Sequence, residues 1–335
     1  MILEPDFESE NMNISTQWQP APASSGTSLR GPNIARIGVG HALIDNCSSE
    51  QVCAWIVAHA KNCGAPAYVL TPNAQHIVLL ENDRRLQNVY AHADLVIPDG
   101  ISLLIAARLY GRCLQQRVAG VDIFKEVCGH AAEAGLQVFL LGGRPGSAGR
   151  AAAVLKADFP GLKYTTYCPP LGFEQDPAEL RAISDAVIAA HPDILFVAFG
   201  APKQEYWIYE YGLRLPVPVC IGVGGSFEIV GGVIPRAPVW TRKIGCEWLY
   251  RLCREPRRMW RRYLIGNLEF ASIVVRQRIR RTLLSAFVQF LNEDRFAAEL
   301  AELALLQREG RLDIRSNITP HEVEGLPTPL YEPAE

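Results

Sequence analysis

Ile-Leu-Phe-Val-Ala-Phe-Gly-Ala-Pro-Lys-Gln-Glu, residues 194–205, is the stretch that decides the fold. Its first six residues are apolar without alternation, as in a strand covered on both faces. A glycine follows, then Pro202 where a helix can start, and residues 203–213 carry helical spacing. The same order recurs on either side. Residues 138–141 are an apolar run, followed by Gly142-Gly143-Arg144-Pro145-Gly146 and a helical pattern over 146–158. Residues 217–221 run into the turn 222–226. Earlier, 67–70 leads to Thr71-Pro72-Asn73 and a helix over 74–92, and 94–97 leads to Pro98-Asp99-Gly100 and a helix over 101–110. Residues 34–39 form the first apolar run, Ser48 and Gln51 predict a capping box for a helix ending near Asn62, and 121–134 and 177–190 are also helical. Strands alternating with helices predict an α/β fold: a Rossmann-like, largely parallel sheet with helices on both faces. Ligands in such sheets bind beyond the carboxyl ends of the strands, so the five turns should gather on one edge.

The rest of the 335 residues frames this core. Residues 1–33 are polar and proline-containing and read as a disordered tail, as do 311–335. The core spans 34–239, a basic aromatic-rich appendage 240–281, and an additional helix 282–310. With 49% hydrophobic and 20% charged residues, a wholly disordered chain is excluded. A net charge of −2 gives no global field for nucleic acid, and no nucleic-acid partner is expected. Nine cysteines without CxxC spacing read as reduced and buried, and no Cys/His cluster predicts a metal. No signal peptide and no run long enough to span a bilayer is read.

Each turn has an ordinary structural role and a chemical one. Asp99, at a strand tip, is placed to accept a proton. Thr71 and Asn73 can cap a helix or present neutral hydrogen-bonding groups. Gly142 and Gly143, Gly200 and Gly224 allow backbone N–H groups to approach a phosphate at a helix start. Lys203 and Gln204 can reach a phosphate or a hydroxyl. Arg117 and Arg236 suit bidentate anion contact. From Arg242 to Arg281 there are twelve basic and three acidic residues. Arg251, Arg254, Arg258 and Arg262 recur at helical spacing, with Arg257 and Arg261 beside them and Trp248 and Trp260 among them. This texture suits a helix on an anionic membrane surface, broken by Pro256.

Taken in order, Thr71-Pro72-Asn73, Pro98-Asp99-Gly100, Arg117-Val118-Ala119-Gly120-Val121-Asp122, Gly142-Gly143, 200–205, 222–227, Arg236-Ala237-Pro238 and Glu247-Trp248-Leu249-Tyr250-Arg251-Leu252 resemble the WecG/TagA/CpsF family of glycosyltransferases. The resemblance covers about 35 to 270. It implies an inverting enzyme without cofactor or metal. Such an enzyme moves an N-acetylmannosamine-type sugar, or a related hexose or uronic acid, from a UDP donor to a polyprenyl-diphosphate-linked acceptor. It also implies a cytoplasmic protein peripheral on the inner face of the plasma membrane, and relatives that self-associate. By position, Asp99 resembles the general base, Thr71 and Asn73 its neighbours, and Arg117 and Gln204 sugar or phosphate contacts. Helix starts near Gly143 and Gly200 would meet the leaving-group charge, with arginines from the appendage. Ala74-Gln75 stands where relatives often have Pro-Glu, and Glu228 where Asp is commoner. A nucleotide-dependent oxidoreductase and a non-catalytic membrane scaffold remain as alternatives.

Overall fold

The computed structural model describes residues 35–62, 65–243, 247–292 and 305, without the side chains of 242, 243, 251, 258, 259, 262 and 290–292. The tails read at 1–33 and 311–335, most of the helix read at 282–310, Cys63 and Cys246 lie outside the described residues.

The chain opens with a hairpin, β1 (Arg36–Val39) and β2 (Ala42–Asp45). Then come α1 (Ser49–Asn62), β3 (Ala67–Leu70), α2 (Ala74–Asn82), α3 (Arg84–Ala91), β4 (Leu95–Val96), α4 (Ile101–Leu109) and α5 (Gly120–Ala134). Next are β5 (Gln137–Gly142), α6 (Ser147–Asp158), β6 (Lys163–Tyr167), α7 (Pro177–Ala190), β7 (Ile194–Ala198), α8 (Lys203–Glu210), β8 (Val219–Gly222) and α9 (Ser226–Val230). Beyond these lie α10 (Val239–Lys243), α11 (Glu247–Arg254), α12 (Pro256–Trp260) and α13 (Gly266–Asn292), with a π-helical turn at Arg261–Ile265 between the last two. Six strands form one parallel sheet in the order β4-β3-β8-β7-β5-β6.

Continuous apolar strands have this form because both faces of the sheet are covered. Val138 pairs with Ile194 and Leu140 with Phe196, and these side chains join one core with α1, α5, α6 and α9. Phe139, Leu141, Leu195 and Val197 point the other way, into a core with α2, α3, α4, α7 and α8. Phe270, Ile273 and Val274 of α13 close that second core. From Val275 the chain forms a second compact unit.

Three expectations change. The run 34–39 does not join the parallel sheet; β1 folds back on β2 through a turn at Gly40, which has φ +56°. The hairpin is fastened to the sheet edge by Asp45, whose carboxylate pairs with Arg36 at 2.7 Å and accepts the Val96 N–H at 2.7 Å. The helix expected over 74–92 breaks at Asp83, whose carboxylate caps α3 by accepting the Leu86 N–H. The edge strand β6 was not foreseen: Lys-Tyr-Thr-Thr-Tyr has no apolar run, and Lys163 and Tyr164 are exposed. The Ser48–Gln51 capping box is present in both directions. Pro256 opens α12 after a break at Glu255.

Candidate active site

The carboxyl ends of β3, β4, β5, β7 and β8 open into a cleft of about 1010 Å³. Thr71 follows β3, and its buried hydroxyl donates to the Gly222 carbonyl at 2.8 Å, joining the turn after β3 to β8. Asn73 caps α2: its side-chain oxygen accepts the Gln75 N–H at 3.0 Å, which leaves the amino group as the donor it can offer a ligand. The Asp99 N–H donates to the Pro72 carbonyl at 2.9 Å, and the Val118 N–H to the Pro98 carbonyl at 2.9 Å. Three turns are thereby stitched side by side. A methyl group built on Gly120 would lie 3.4 Å from Thr71 Oγ1 and 3.6 Å from Asp99 Oδ2, so both oxygens face the start of α5. Asp99 is half-buried and lines the cleft with Thr71, Asn73, Gly142, Gly143, Gly200, Lys203, Gln204 and Gly224.

Some of the glycines pack too closely for side chains, whereas Gly200 and Gly224 face open space. Gly142 has φ +94°, and a Cβ there would meet the Phe199 ring at 2.7 Å. At Gly222 a Cβ would come within 2.8 Å of Gln204 Nε2. Gln204 is buried and committed: its Oε1 accepts the N–H groups of Gly200 at 3.2 Å and Gly224 at 3.0 Å, and its Nε2 donates to Glu205. It fastens the β7 turn to the β8 turn.

The helix start near Gly143 differs from the expectation. The buried Glu228 carboxylate already occupies it, accepting the Arg144 N–H at 2.7 Å and the Ser147 hydroxyl at 3.4 Å. A diphosphate placed there would meet a negative charge. The Gly200 N–H is likewise taken, by Gln204.

The cations divide into two groups. Arg117 pairs with Glu247 at 3.2 Å, Lys203 with Glu174, and Arg236 with Asp122. Arg117 and Arg236 are not on the cleft wall; Lys203 is. Arg144 and Arg254 also line the cleft, and neither makes an ion pair with another described residue. On α11, Glu247, Tyr250 and Arg254 all line the cleft, at helical spacing i, i+3 and i+7. The Arg117–Glu247 pair therefore anchors the first turn of the face whose last turn brings in Arg254. Arg257 and Arg261 are exposed outside the cleft lining, and Trp248 packs against Tyr263 with ring centroids 6.1 Å apart. The side chains of Arg251, Arg258 and Arg262 lie outside those described.

The glycosyl transferase WecG/TagA/CpsF family model matches residues 37–283. The chain belongs to that family. Two similar proteins, from Bacillus spizizenii and Bacillus subtilis, are each named N-acetylglucosaminyldiphosphoundecaprenol N-acetyl-beta-D-mannosaminyltransferase. Each is 34% identical over 198 residues, covering 59% of this chain and 75% of the relative. As a WecG/TagA/CpsF member, the protein is a glycosyltransferase of the hexosyltransferase kind.

Within this glycosyltransferase, sequence reading passed over several residues in and beneath the cleft wall. Tyr250 and Glu247 were legible through their helical spacing with Arg254. Arg144 lay inside a glycine-rich turn that drew attention to its glycines. His76 on the wall is a buried polar residue inside a helix that no local pattern marks, while Glu228 on the wall and Glu205 beneath it were noted only as motif positions, without their contacts. Among the described residues, no three His, Cys, Asp or Glu side chains come together as a metal site. No described helix is long and apolar enough to cross a membrane.

Proposed function

We propose that this enzyme transfers an N-acetylmannosamine-type sugar from a UDP donor to a polyprenyl-diphosphate-linked sugar, with inversion and Asp99 as general base. The supporting observation is that the half-buried Asp99 carboxylate shares one cleft with the glycine turns of β5, β7 and β8 and with Arg254. The names of the Bacillus relatives, which specify an N-acetylmannosaminyl group and an N-acetylglucosaminyldiphosphoundecaprenol acceptor, support the sugar and acceptor classes.

The acceptor hydroxyl oxygen attacks the anomeric carbon from the face opposite the diphosphate. The carbon–oxygen bond to the β-phosphate breaks, UDP leaves with the electron pair, and the hydroxyl proton passes to Asp99. Glu228 holds the start of α6 against a second anion, so its carboxylate suits O–H or N–H donors of the nucleoside. The diphosphate charge is assigned to Arg254 and Arg144. No step needs a metal, and activity is expected to persist in a chelator.

The acceptor is a membrane lipid, so the enzyme is placed on the inner face of the plasma membrane. Exposed Trp240, Leu249, Trp260, Leu264 and Leu268 lie among exposed Arg254, Arg257 and Arg261, the composition of an interfacial surface. Each arginine near an anionic surface contributes about 1 kcal/mol. Replacing Arg257 and Arg261 with glutamate should weaken binding to phosphatidylserine-containing vesicles by at least about 30-fold. Unchanged sedimentation with vesicles would refute this placement. The reaction itself is tested by product analysis with a panel of UDP-sugars and a synthetic polyprenyl-diphosphate-GlcNAc acceptor. An inverted N-acetylmannosaminyl product is expected. Turnover of UDP-glucose or UDP-glucuronate alone would reassign the donor, and transfer from none would refute the reading.

A further inference from the structure

Beneath the cleft wall lies a buried polar chain whose chemistry the transfer step does not use. Glu205 is 1% exposed and no lysine or arginine pairs with it among the described residues. Its Oε1 accepts Gln204 Nε2 at 2.9 Å and lies 3.4 Å from His76 Nε2. Its other oxygen, Oε2, is buried without a hydrogen-bond partner, as are the Tyr68 and Tyr90 hydroxyls. Burial first, and the Glu205 carboxylate second, raise both phenols well above their ordinary range. Desolvating a carboxylate without a full cation partner is costly, and a core with apolar residues in place of the whole polar set would hold at least as well. The acid therefore calls for a role other than stability.

Its hydrogen bonds indicate that role. The Asn73 N–H donates to His76 Nδ1 at 3.3 Å, so the ring proton sits on Nε2, facing Glu205. The carboxylate draws Gln204 Nε2 toward itself, which turns Gln204 Oε1 toward the Gly200 and Gly224 N–H groups. One carboxylate thus sets the amide orientation between two glycine turns and faces the imidazole behind Asn73 across a 3.4 Å electrostatic contact that is not a hydrogen bond. Those three segments follow β3, β7 and β8 and line the same cleft.

We propose that Glu205 and His76 are a positioning pair for the transfer reaction: Glu205 from beneath the cleft wall and His76 from within it hold the Asn73 turn in register with the Gly200 and Gly224 turns. The proposal rests on the transferase reading of the cleft for its kinetic part, and on the hydrogen bonds of Gln204 and His76 with the Glu205–His76 electrostatic contact for its structural part.

The test uses the full chain with Glu205→Leu, Glu205→Gln, His76→Gln and a double variant combining Glu205→Leu with His76→Gln. Amide hydrogen exchange and steady-state kinetics are read on each. In Glu205→Leu, exchange protection should fall together in peptides covering 71–77, 199–204 and 222–226, and by more than in peptides covering the sheet strands. Turnover should drop about 100-fold, the scale of a misplaced reacting group, with acceptor KM little changed. Glu205→Gln, which keeps one acceptor oxygen, should recover much of the turnover. The double variant should lose no more than the worse single one, because the two residues act as a unit. Protection retained in all three segments, loss in one segment alone, or wild-type turnover despite lost protection would overturn the pair. If Glu205→Leu does not fold, His76→Gln decides on the same readouts. A wild-type chain that transfers no sugar would sink the transferase reading, while the exchange result would still decide the coupling.

Discussion

Asp99→Asn is expected to cut turnover at least about a hundredfold while UDP still binds. Asparagine keeps the size of the side chain and cannot take the acceptor's proton. The Asp99 backbone N–H bond to Pro72, which holds the turn, is unaffected by the change. The neighbouring Thr71 hydroxyl is already committed to the Gly222 carbonyl, so it is poorly placed to substitute as base. Turnover should therefore fall through kcat, and UDP titration should give a wild-type isotherm. A variant with wild-type turnover would remove Asp99 from the role. A variant that lost UDP binding in step with turnover would make Asp99 a binding group instead.

Arg254→Ala is the second large effect. UDP gains negative charge as it leaves, and the Arg144 and Gly200 N–H groups in the two glycine turns are already taken by Glu228 and Gln204. The charge must then be met by side chains. Arg254 enters the cleft on the same face of α11 as Glu247 and makes no ion pair with another described residue, unlike Arg117, Lys203 and Arg236. Removing a donor aimed at developing charge costs on the order of 10²–10³ in kcat. Arg254→Lys should recover part of that loss, since it restores the charge without the planar fork. Soluble acceptor analogues should show the same loss, because the effect is on the donor and not on membrane docking. Full activity of Arg254→Ala on a soluble acceptor would confine this arginine to the lipid surface.

The parallel sheet was legible in the sequence because buried strands need apolar residues on both faces, and β3, β5, β7 and β8 supply them without a break. The turns carrying Thr71, Gly142, Gly200 and Gly224 were legible for the same reason, since they end those strands, and Asp99 follows the short apolar β4 in the same way. β6 was not, since an edge strand tolerates Lys163 and Tyr164 in water. The break at Asp83 was hidden because an aspartate on a helical pattern resembles a solvated face until its capping bond is seen. Partners far apart in sequence could not be read at all. Arg117 meets Glu247 across 130 positions, Arg236 meets Asp122 across 114, and neither loop arginine announces its helical partner. That is why arginines expected to bind anions are found committed to carboxylates. The filling of the α6 start by Glu228 depends in the same way on a contact across 84 positions. The basic texture of the appendage was legible; which arginine enters the cleft required the geometry of α11.

A crystal structure with a UDP-sugar and a soluble acceptor analogue bears most directly on sugar transfer at this sheet edge. The expected density places the anomeric carbon in the cleft, with the acceptor hydroxyl within hydrogen-bonding distance of Asp99 and the diphosphate against Arg254. Donor density seated elsewhere, or an acceptor hydroxyl out of reach of Asp99 with both substrates bound, would contradict it.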